Sequence, residues 1–163
     1  MNRYMNLIGR NAKKASLKKI STKVKNKILK RYASLLDKKK NSIITANSKD
    51  IKFALKKGLK KNLIDRLTIN HKKLNDIKSS INKIIKLKDP IDNTLEKWSR
   101  PNGLKIKRVS IPIGVIGVIY ESRPNVTSDV ASLCFKSGNP VILKGGSEAI
   151  NTNRILAKLF RKA

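Results

Sequence analysis

The chain of 163 residues has little of several residue types, and each scarcity argues against a class of protein. It contains one cysteine, so no internal disulfide can form, which fits a reducing compartment such as the cytoplasm. Its one histidine, His71, has no ligand partners nearby in sequence, so no metal site is expected. No apolar run approaches the roughly 18 residues of a membrane span. The longest, 111–120, is interrupted by Pro112, Gly114 and Gly117.

Acidic residues are also scarce, at 10 against 39 Lys and Arg, which gives a formal net charge of +29. A field of that strength attracts polyanions, so a basic nucleic-acid-binding protein is one alternative function. Aromatic residues make up 4% of the chain, and the lysines are spread through periodic segments instead of clustering with aromatics. The charge therefore predicts non-specific polyanion binding, but it does not by itself indicate a nucleic-acid function.

Residues 1–100 have the apolar period of helices. The segment before Asp37, the first acidic residue, resembles a transit peptide in composition, but its period favours an amphipathic helix. A helix capped by Ser21 or Thr22 is predicted, and another over 41–57, ended by Gly58. The apolar face of the first is formed by Val24, Ile28, Tyr32 and Leu36. A third helix is indicated by Leu74, Ile77, Ile81 and Ile84.

Residues 101–163 have a different pattern. They predict a half-exposed strand at 104–109, then a strand at 114–120 that is apolar enough to be buried on both faces. A helix at 126–136, a short strand at 141–143, a Gly-Gly turn and a helix from 147 follow. This βαβα unit is half of a dinucleotide-binding fold. The expected class is α/β, with a helical region at 1–100 and a partial Rossmann-like region with an incomplete sheet at 101–163.

Several linked motifs resemble those of the gamma-glutamyl phosphate reductases, which are members of the aldehyde dehydrogenase superfamily. They are IPIGVIGVIYESRPNVT at 111–127, LCFKSGN at 133–139 and LKGGSEA at 143–149. Upstream, ANSKD at 46–50, DRL at 65–67 and RPNGL at 100–104 are similar too. The likeness covers nearly the whole chain. It implies that 101–163 is the first half of an aldehyde dehydrogenase cofactor domain that binds NADP.

The resemblance also implies a reaction of proline biosynthesis, the NADPH-dependent reduction of L-glutamate 5-phosphate to L-glutamate 5-semialdehyde with release of phosphate. In this family a cysteine thiolate attacks the acyl phosphate, which splits one hard step into two easier ones. That cysteine belongs to a later segment than these 163 residues, so this chain alone is expected to be inactive. A non-catalytic remnant is an alternative. Cys134 lies in the helix predicted at 126–136 and is interpreted as structural.

Two candidate residues follow the first buried strand. The resemblance places Asn125 where a side-chain amide helps to hold the developing oxyanion, beside the capping role that an Asn after Pro can have. Arg123 could contact the phosphate or carboxylate of the substrate in a two-pronged way, or form a local ion pair with Glu121.

Four candidates for cofactor binding follow the second strand. By resemblance, Lys144 contacts the adenosine ribose or 2′-phosphate; otherwise it is one more exposed ammonium. Gly145 and Gly146 would let the backbone approach the nucleotide, or would form a plain turn. Ser147 contacts the ribose phosphate or caps the last helix. Glu148 follows Lys144 by four residues, whereas the superfamily commonly has Lys-x-x-Glu, so its role stays open.

Overall fold

The computed structural model describes residues 3–163. Its helices are α1 (Arg3–Ser16), α2 (Thr22–Lys38), α3 (Lys40–Lys56), α4 (Lys61–Leu67), α5 (His71–Lys86), α6 (Asn125–Lys136) and α7 (Ile150–Lys162). Its strands are β1 (Thr94–Ser99), β2 (Lys105–Val109), β3 (Ile116–Tyr120) and β4 (Val141–Gly145). A short 3-10 turn, Ser147–Ala149, leads into α7. No helix in this described part of the chain is both long and apolar enough to cross a membrane.

The predicted cap of α2 and the predicted glycine after α3 are both found in the structure. The hydroxyl of Ser21 accepts a hydrogen bond from the N–H of Val24 at 3.4 Å and caps α2. Gly58 follows α3 with a φ of +66°, a left-handed conformation that favours glycine. The predicted face of α2 needs a correction, because Val24 is 45% exposed while Leu29 is fully buried.

The strands form two separate pairs. β1 and β2 are antiparallel, with Ser99 opposite Lys105, and this hairpin crosses the boundary predicted at residue 100. β3 and β4 are parallel and in register from Ile116 opposite Val141 to Tyr120 opposite Gly145. A two-stranded parallel pair is an incomplete sheet, as predicted.

The main hydrophobic core draws on both sequence regions. It lies between α2, α5 and α7 and includes one residue of α3, with Phe135 of α6 packed against it. The buried members are Leu29, Tyr32, Ala33, Leu36, Ile43, Ile69, Leu74, Ile77, Ile81, Ile84, Leu156 and Leu159. The helical region therefore forms the platform on which α6 and α7 rest, and these two helices follow the strands of the parallel pair. The division into 1–100 and 101–163 stays a prediction.

The expectation that 114–120 is buried on both faces is wrong for this chain. Ile119 is 79% exposed, whereas Ile116, Val118 and Tyr120 are half-buried. Successive side chains of a strand point to opposite faces, and α6 covers only one of them. The hydroxyl of Tyr120 lies 2.6 Å from that of Thr127 in α6. The other face of β3 has no cover among the described residues.

Candidate functional site

The candidate residues meet where β3 and β4 end side by side. Because the strands are parallel, the segment after Tyr120 lies next to the segment after Gly145. The first contains Arg123 and Asn125; the second contains Ser147 and Glu148. Ligands bind beyond the carboxyl ends of the strands in open α/β sheets. The structure thus brings the residues of both predicted groups to one edge.

Glu148 ties the two segments together. One oxygen of its carboxylate, Oε1, accepts hydrogen bonds from the backbone N–H of Ser122 at 2.7 Å and from its hydroxyl at 3.1 Å. Burial by itself would raise the pKa of Glu148, but these bonds, its own backbone N–H and the charge of Lys57 outweigh burial and lower the pKa. A Cβ at Gly146 would overlap this carboxylate. Glycine at position 146 is therefore needed to let Glu148 fold back over the loop.

A hydrogen-bonded chain of buried groups holds the start of the second segment. The hydroxyl of Thr127 lies 2.6 Å from that of Tyr120 and donates to Oδ1 of Asn153 at 3.0 Å. A Cβ at Gly145 would overlap the amide of Asn153 and press on the Tyr120 ring. Glycine is therefore required at positions 145 and 146 by packing, because side chains of the protein itself occupy the space that a Cβ would need.

Asn125 begins α6, and its amide is held by the next turn. Its Nδ2 donates to Oδ2 of Asp129 at 3.2 Å. Burial raises the pKa of Asp129, partly offset by this bond, and Oδ1 of Asp129 is buried with no partner among the described residues. One N–H of the Asn125 amide is thus committed and fixes its orientation, which leaves the second N–H for another acceptor.

A second polar network, on α3, holds the start of α7. Asp50 is 1% exposed and accepts from the N–H and side chain of Asn151 at 3.1 and 2.7 Å, and from the N–H and hydroxyl of Thr152 at 2.8 and 2.6 Å. Asn47, one helical turn earlier, donates to the Thr152 hydroxyl at 3.2 Å. The last helix is therefore capped from a distant part of the chain.

Arg123 and Lys144 are exposed and free of ion pairs within the described range. Arg123 borders a cavity of about 480 Å³ at the end of β3, which Arg66 also lines. Lys144 lies opposite Ile119 in the β3–β4 register. The ion pair between Arg123 and Glu121 that the sequence allowed is not formed.

The chain was compared with curated proteins and solved structures. A gamma-glutamyl phosphate reductase of Persephonella marina is 46% identical over 162 residues, which cover 98% of this chain and 36% of the relative. The crystal structure of gamma-glutamyl phosphate reductase from Thermotoga maritima is 39% identical, with a TM-score of 0.94 over 97% of this chain and 39% of that one. Over the part of those proteins that it spans, the chain is similar in sequence and in structure to gamma-glutamyl phosphate reductases. No protein-family model matches it.

The chain spans little more than a third of the length of these gamma-glutamyl phosphate reductases. The same fold is found more distantly in a Bacillus subtilis protein described as an aldehyde dehydrogenase, with a TM-score of 0.71 at 17% identity over 97% of this chain and 33% of that one. The predicted fold class, an α/β chain with helices first and an incomplete sheet after them, is confirmed.

Two of the alternative roles considered for the family motifs are wrong. Ser147 does not cap α7, because its hydroxyl makes no hydrogen bond among residues 3–163 and Asp50 supplies the cap. Asn125 does not cap α6, because the helix has no side-chain cap and the Asn125 amide bonds to Asp129. The roles of these residues toward substrate and cofactor remain predictions.

Cys134 has the surroundings of a structural cysteine. It is 7% exposed, and burial raises the pKa of its thiol. It lies in the last turn of α6, whereas the candidate residue Asn125 lies at the first position of that helix. Among the residues with described positions, no group of three or more His, Cys, Asp or Glu side chains converges as a metal site would require.

The residues that hold the site together were not predicted from the sequence. Asn47 and Asp50 stood in a motif that resembles the family, but no role was assigned to them. The available signal was an Asn and an Asp spaced i, i+3 on a helix, which places both on one face. Both are 1% exposed, so that face is buried. Buried polar side chains normally have partners.

Proposed function

We propose that this chain carries the cofactor side and the oxyanion support of an NADPH-dependent reductase of proline biosynthesis. The reaction converts L-glutamate 5-phosphate, NADPH and a proton into L-glutamate 5-semialdehyde, NADP⁺ and phosphate. One observation carries the proposal: the Glu148–Ser122 link joins the loops after β3 and β4, so that Asn125 and Lys144 come to one edge of the sheet. The similarity to gamma-glutamyl phosphate reductases over nearly the whole chain supports this assignment.

Asn125 has the chemistry of an oxyanion donor. Its amide offers a positive dipole that does not titrate, and Asp129 already fixes its orientation. A donor that is held in place before the reaction needs no reorganisation when negative charge develops on the carbonyl oxygen. Removing one such donor costs roughly 3 kcal/mol of transition-state stabilisation in enzymes where it has been measured.

Lys144 and Ser147 fit a phosphate-bearing cofactor. Both are exposed, and the Lys144 ammonium has no carboxylate partner in the described part of the chain. Gly145 and Gly146 would contribute backbone at this loop, although their own packing already accounts for them. When bound, NADPH supplies the two electrons of the reduction.

This chain supplies no activated nucleophile in the proposed reaction. Its one thiol, Cys134, is buried with a raised pKa, which leaves it largely protonated and inaccessible. We therefore propose that the 163-residue polypeptide has no reductase activity by itself. We also propose a cytoplasmic location, where a single free thiol stays reduced, and weak non-specific polyanion binding from the net charge.

Fluorescence titration of the 163-residue chain with NADPH tests the proposal. We expect saturable binding that Lys144→Gln weakens about tenfold, since it removes one charge-assisted hydrogen bond between the ammonium and the phosphate. NADH should bind more weakly than NADPH, because it lacks the 2′-phosphate. With L-glutamate 5-phosphate added, the NADPH absorbance should stay constant.

The matched control is Lys158→Gln, which removes the same charge from an exposed position on α7. Its NADPH affinity should equal that of the unchanged chain. The same loss of affinity in both lysine variants would mean that binding follows net charge alone and would contradict the proposal. Oxidation of NADPH that depends on the acyl phosphate would contradict the proposed inactivity.

A further inference from the structure

A cavity of about 480 Å³ opens at the carboxyl end of β3, between α4 and the start of α6. It is lined by Leu63, Arg66, Ile119, Tyr120, Glu121, Ser122, Arg123 and Val126. Two arginines, Arg66 and Arg123, thus line one space, although they lie more than fifty residues apart in sequence. Val126 on the wall follows Asn125 directly in the first turn of α6, so the backbone of the proposed oxyanion donor adjoins the cavity, although Asn125 itself does not line it.

Neither arginine is used elsewhere in the described structure. The ion pairs of residues 3–163 involve Lys25, Lys78 and Arg108, and no hydrogen bond engages the guanidinium of Arg66 or of Arg123. By contrast, the hydroxyls of Tyr120 and Ser122 on the cavity wall are hydrogen-bonded to Thr127 and Glu148. The remaining acid on the wall, Glu121, is exposed and pairs with neither arginine.

The turn that carries Arg66 is firmly held. Leu67 is fully buried, and its carbonyl accepts a hydrogen bond from Asn47 at 2.9 Å. The ammonium of Lys73 donates to the carbonyls of Asp65 at 2.5 Å and Thr68 at 2.7 Å. Arg66 therefore extends from an ordered backbone toward the cavity, which limits the entropy lost when it binds a ligand.

We infer that Arg66 and Arg123 together form a binding site for a phosphate dianion. Guanidinium groups bind phosphate oxygens through two parallel hydrogen bonds, and two of them match the charge of the dianion. This part of the inference rests on geometry and charge alone. If the proposed function holds, the ligand is the phosphoryl end of the acyl phosphate substrate, because the cavity adjoins Asn125 and the phosphate is bonded to the reacting carbonyl carbon.

Phosphate binding would give a role to the DRL motif at 65–67, whose arginine has no other partner among residues 3–163. When a cysteine thiolate forms its bond to the acyl carbon, the bond between that carbon and the bridging phosphate oxygen breaks, and its electron pair leaves with the phosphate. The leaving group then carries more negative charge than it had in the substrate. Two cations fixed beside it stabilise that state more than the starting state, which is the condition for lowering the barrier.

Calorimetric titration of the 163-residue chain with inorganic phosphate tests the site, at an ionic strength high enough to screen distant lysines. We expect Arg66→Gln and Arg123→Gln each to weaken phosphate binding about tenfold, the loss of one bidentate contact. The matched control, Arg161→Gln, removes the same charge from an exposed position on α7 and should change the affinity less than about twofold. All three arginines are exposed, so the variants should fold, which the far-ultraviolet circular dichroism spectrum checks.

The results distinguish the phosphate site from the proposed cofactor function. Equal phosphate affinities for Arg66→Gln and Arg161→Gln would overturn the site. If Lys144→Gln weakens NADPH binding but neither Arg66→Gln nor Arg123→Gln weakens phosphate binding, this inference is overturned and the cofactor proposal stands. Phosphate binding that requires both arginines, with NADPH binding indifferent to Lys144, would support the site and count against the proposed function.

Discussion

The carboxylate of Asp50 receives four hydrogen bonds from the first turn of α7, a hundred residues further along the chain. Two come from backbone N–H groups that have no partner inside the helix. A negative charge at a helix N-terminus is also favoured by the helix dipole. Because α7 begins directly after the loop that carries Ser147 and Glu148, Asp50 holds one end of the proposed cofactor loop, and the bonds from Ser122 to Glu148 hold its middle.

Replacing Asp50 by alanine should therefore destabilise the chain substantially. Asp50→Ala leaves the N–H groups of Asn151 and Thr152 without acceptors, and we expect a loss of about 2–4 kcal/mol in the free energy of unfolding. Urea-induced unfolding followed by circular dichroism measures it. Asp76→Ala is the control, since Asp76 is exposed and has no hydrogen bond among the described residues. Equal midpoints for the two variants would show that the cap contributes nothing.

At the scale of single residues, sequence indicated where the chemistry lies but not how the residues are held. Lys144 and Arg123 could be placed at strand ends from the pattern alone. The reason for glycine at 146 could not be predicted from the sequence. It depends on the side chain of Glu148, which folds back over the loop and accepts a hydrogen bond from Ser122. Such contacts are fixed by the packing of β3 against β4, which one sequence does not reveal.

Among the elements, α2 is tied to the segment that follows α5 by a buried ion pair. Asp89 accepts from the ammonium of Lys25 at 2.9 Å and from the hydroxyl of Thr22 at 2.7 Å. The side chains of Lys25 and Asp89 are only 3% and 13% exposed. Burial alone would raise the pKa of Asp89, but the hydrogen bonds from Lys25, Thr22 and Ile91 and the charge of Lys25 outweigh it and lower the pKa.

The lowered pKa predicts an acid-sensitive contact between these elements. The folded state binds this proton more weakly than the unfolded state, so the stabilisation is complete above the ordinary aspartate pKa and is lost as the pH falls through the folded value. Asp89→Asn should cost about 3 kcal/mol near neutral pH, because it leaves the buried ammonium of Lys25 unpaired. It should also flatten the stability curve below about pH 4. Denaturant titrations across pH measure both effects.

The matched control for this pair is Asp37→Asn, which breaks the exposed pair between Asp37 and Lys78. Solvent screens that pair, so its loss should matter far less at neutral pH. If the two variants lost the same stability, the Lys25–Asp89 contact would not be the link between α2 and the segment after α5.

Helices were easier to predict than strands in this chain. The period of Leu74, Ile77, Ile81 and Ile84 gave α5 with all four residues buried, because the core pattern and the helical period agree. β1 was missed. Its residues 94–99 are all exposed, so no apolar alternation marks them, and only pairing with β2 reveals the strand. β3 presents the opposite difficulty. Its residues are apolar on both faces, so its composition does not indicate that one face is exposed.

For the whole molecule, the question is whether binding is directed by one site or by net charge. The charge of +29 is spread over many exposed lysines, whereas Asn125, Lys144 and Arg123 lie at one edge of the parallel strand pair. A charge-driven polyanion ligand would contact the lysine-bearing helices broadly. A cofactor recognised by this edge would protect only the two loops that follow β3 and β4.

Hydrogen–deuterium exchange of the 163-residue chain with and without saturating NADPH distinguishes these possibilities most directly, with a short single-stranded DNA as the charge-driven reference. We expect NADPH to slow exchange in residues 121–127 and 144–149, and DNA to slow it weakly over many lysine-bearing segments. Protection of those two loops by NADPH alone would support a cofactor site at the strand ends. An NADPH pattern that matches the DNA pattern, with no protection at the loops, would contradict it.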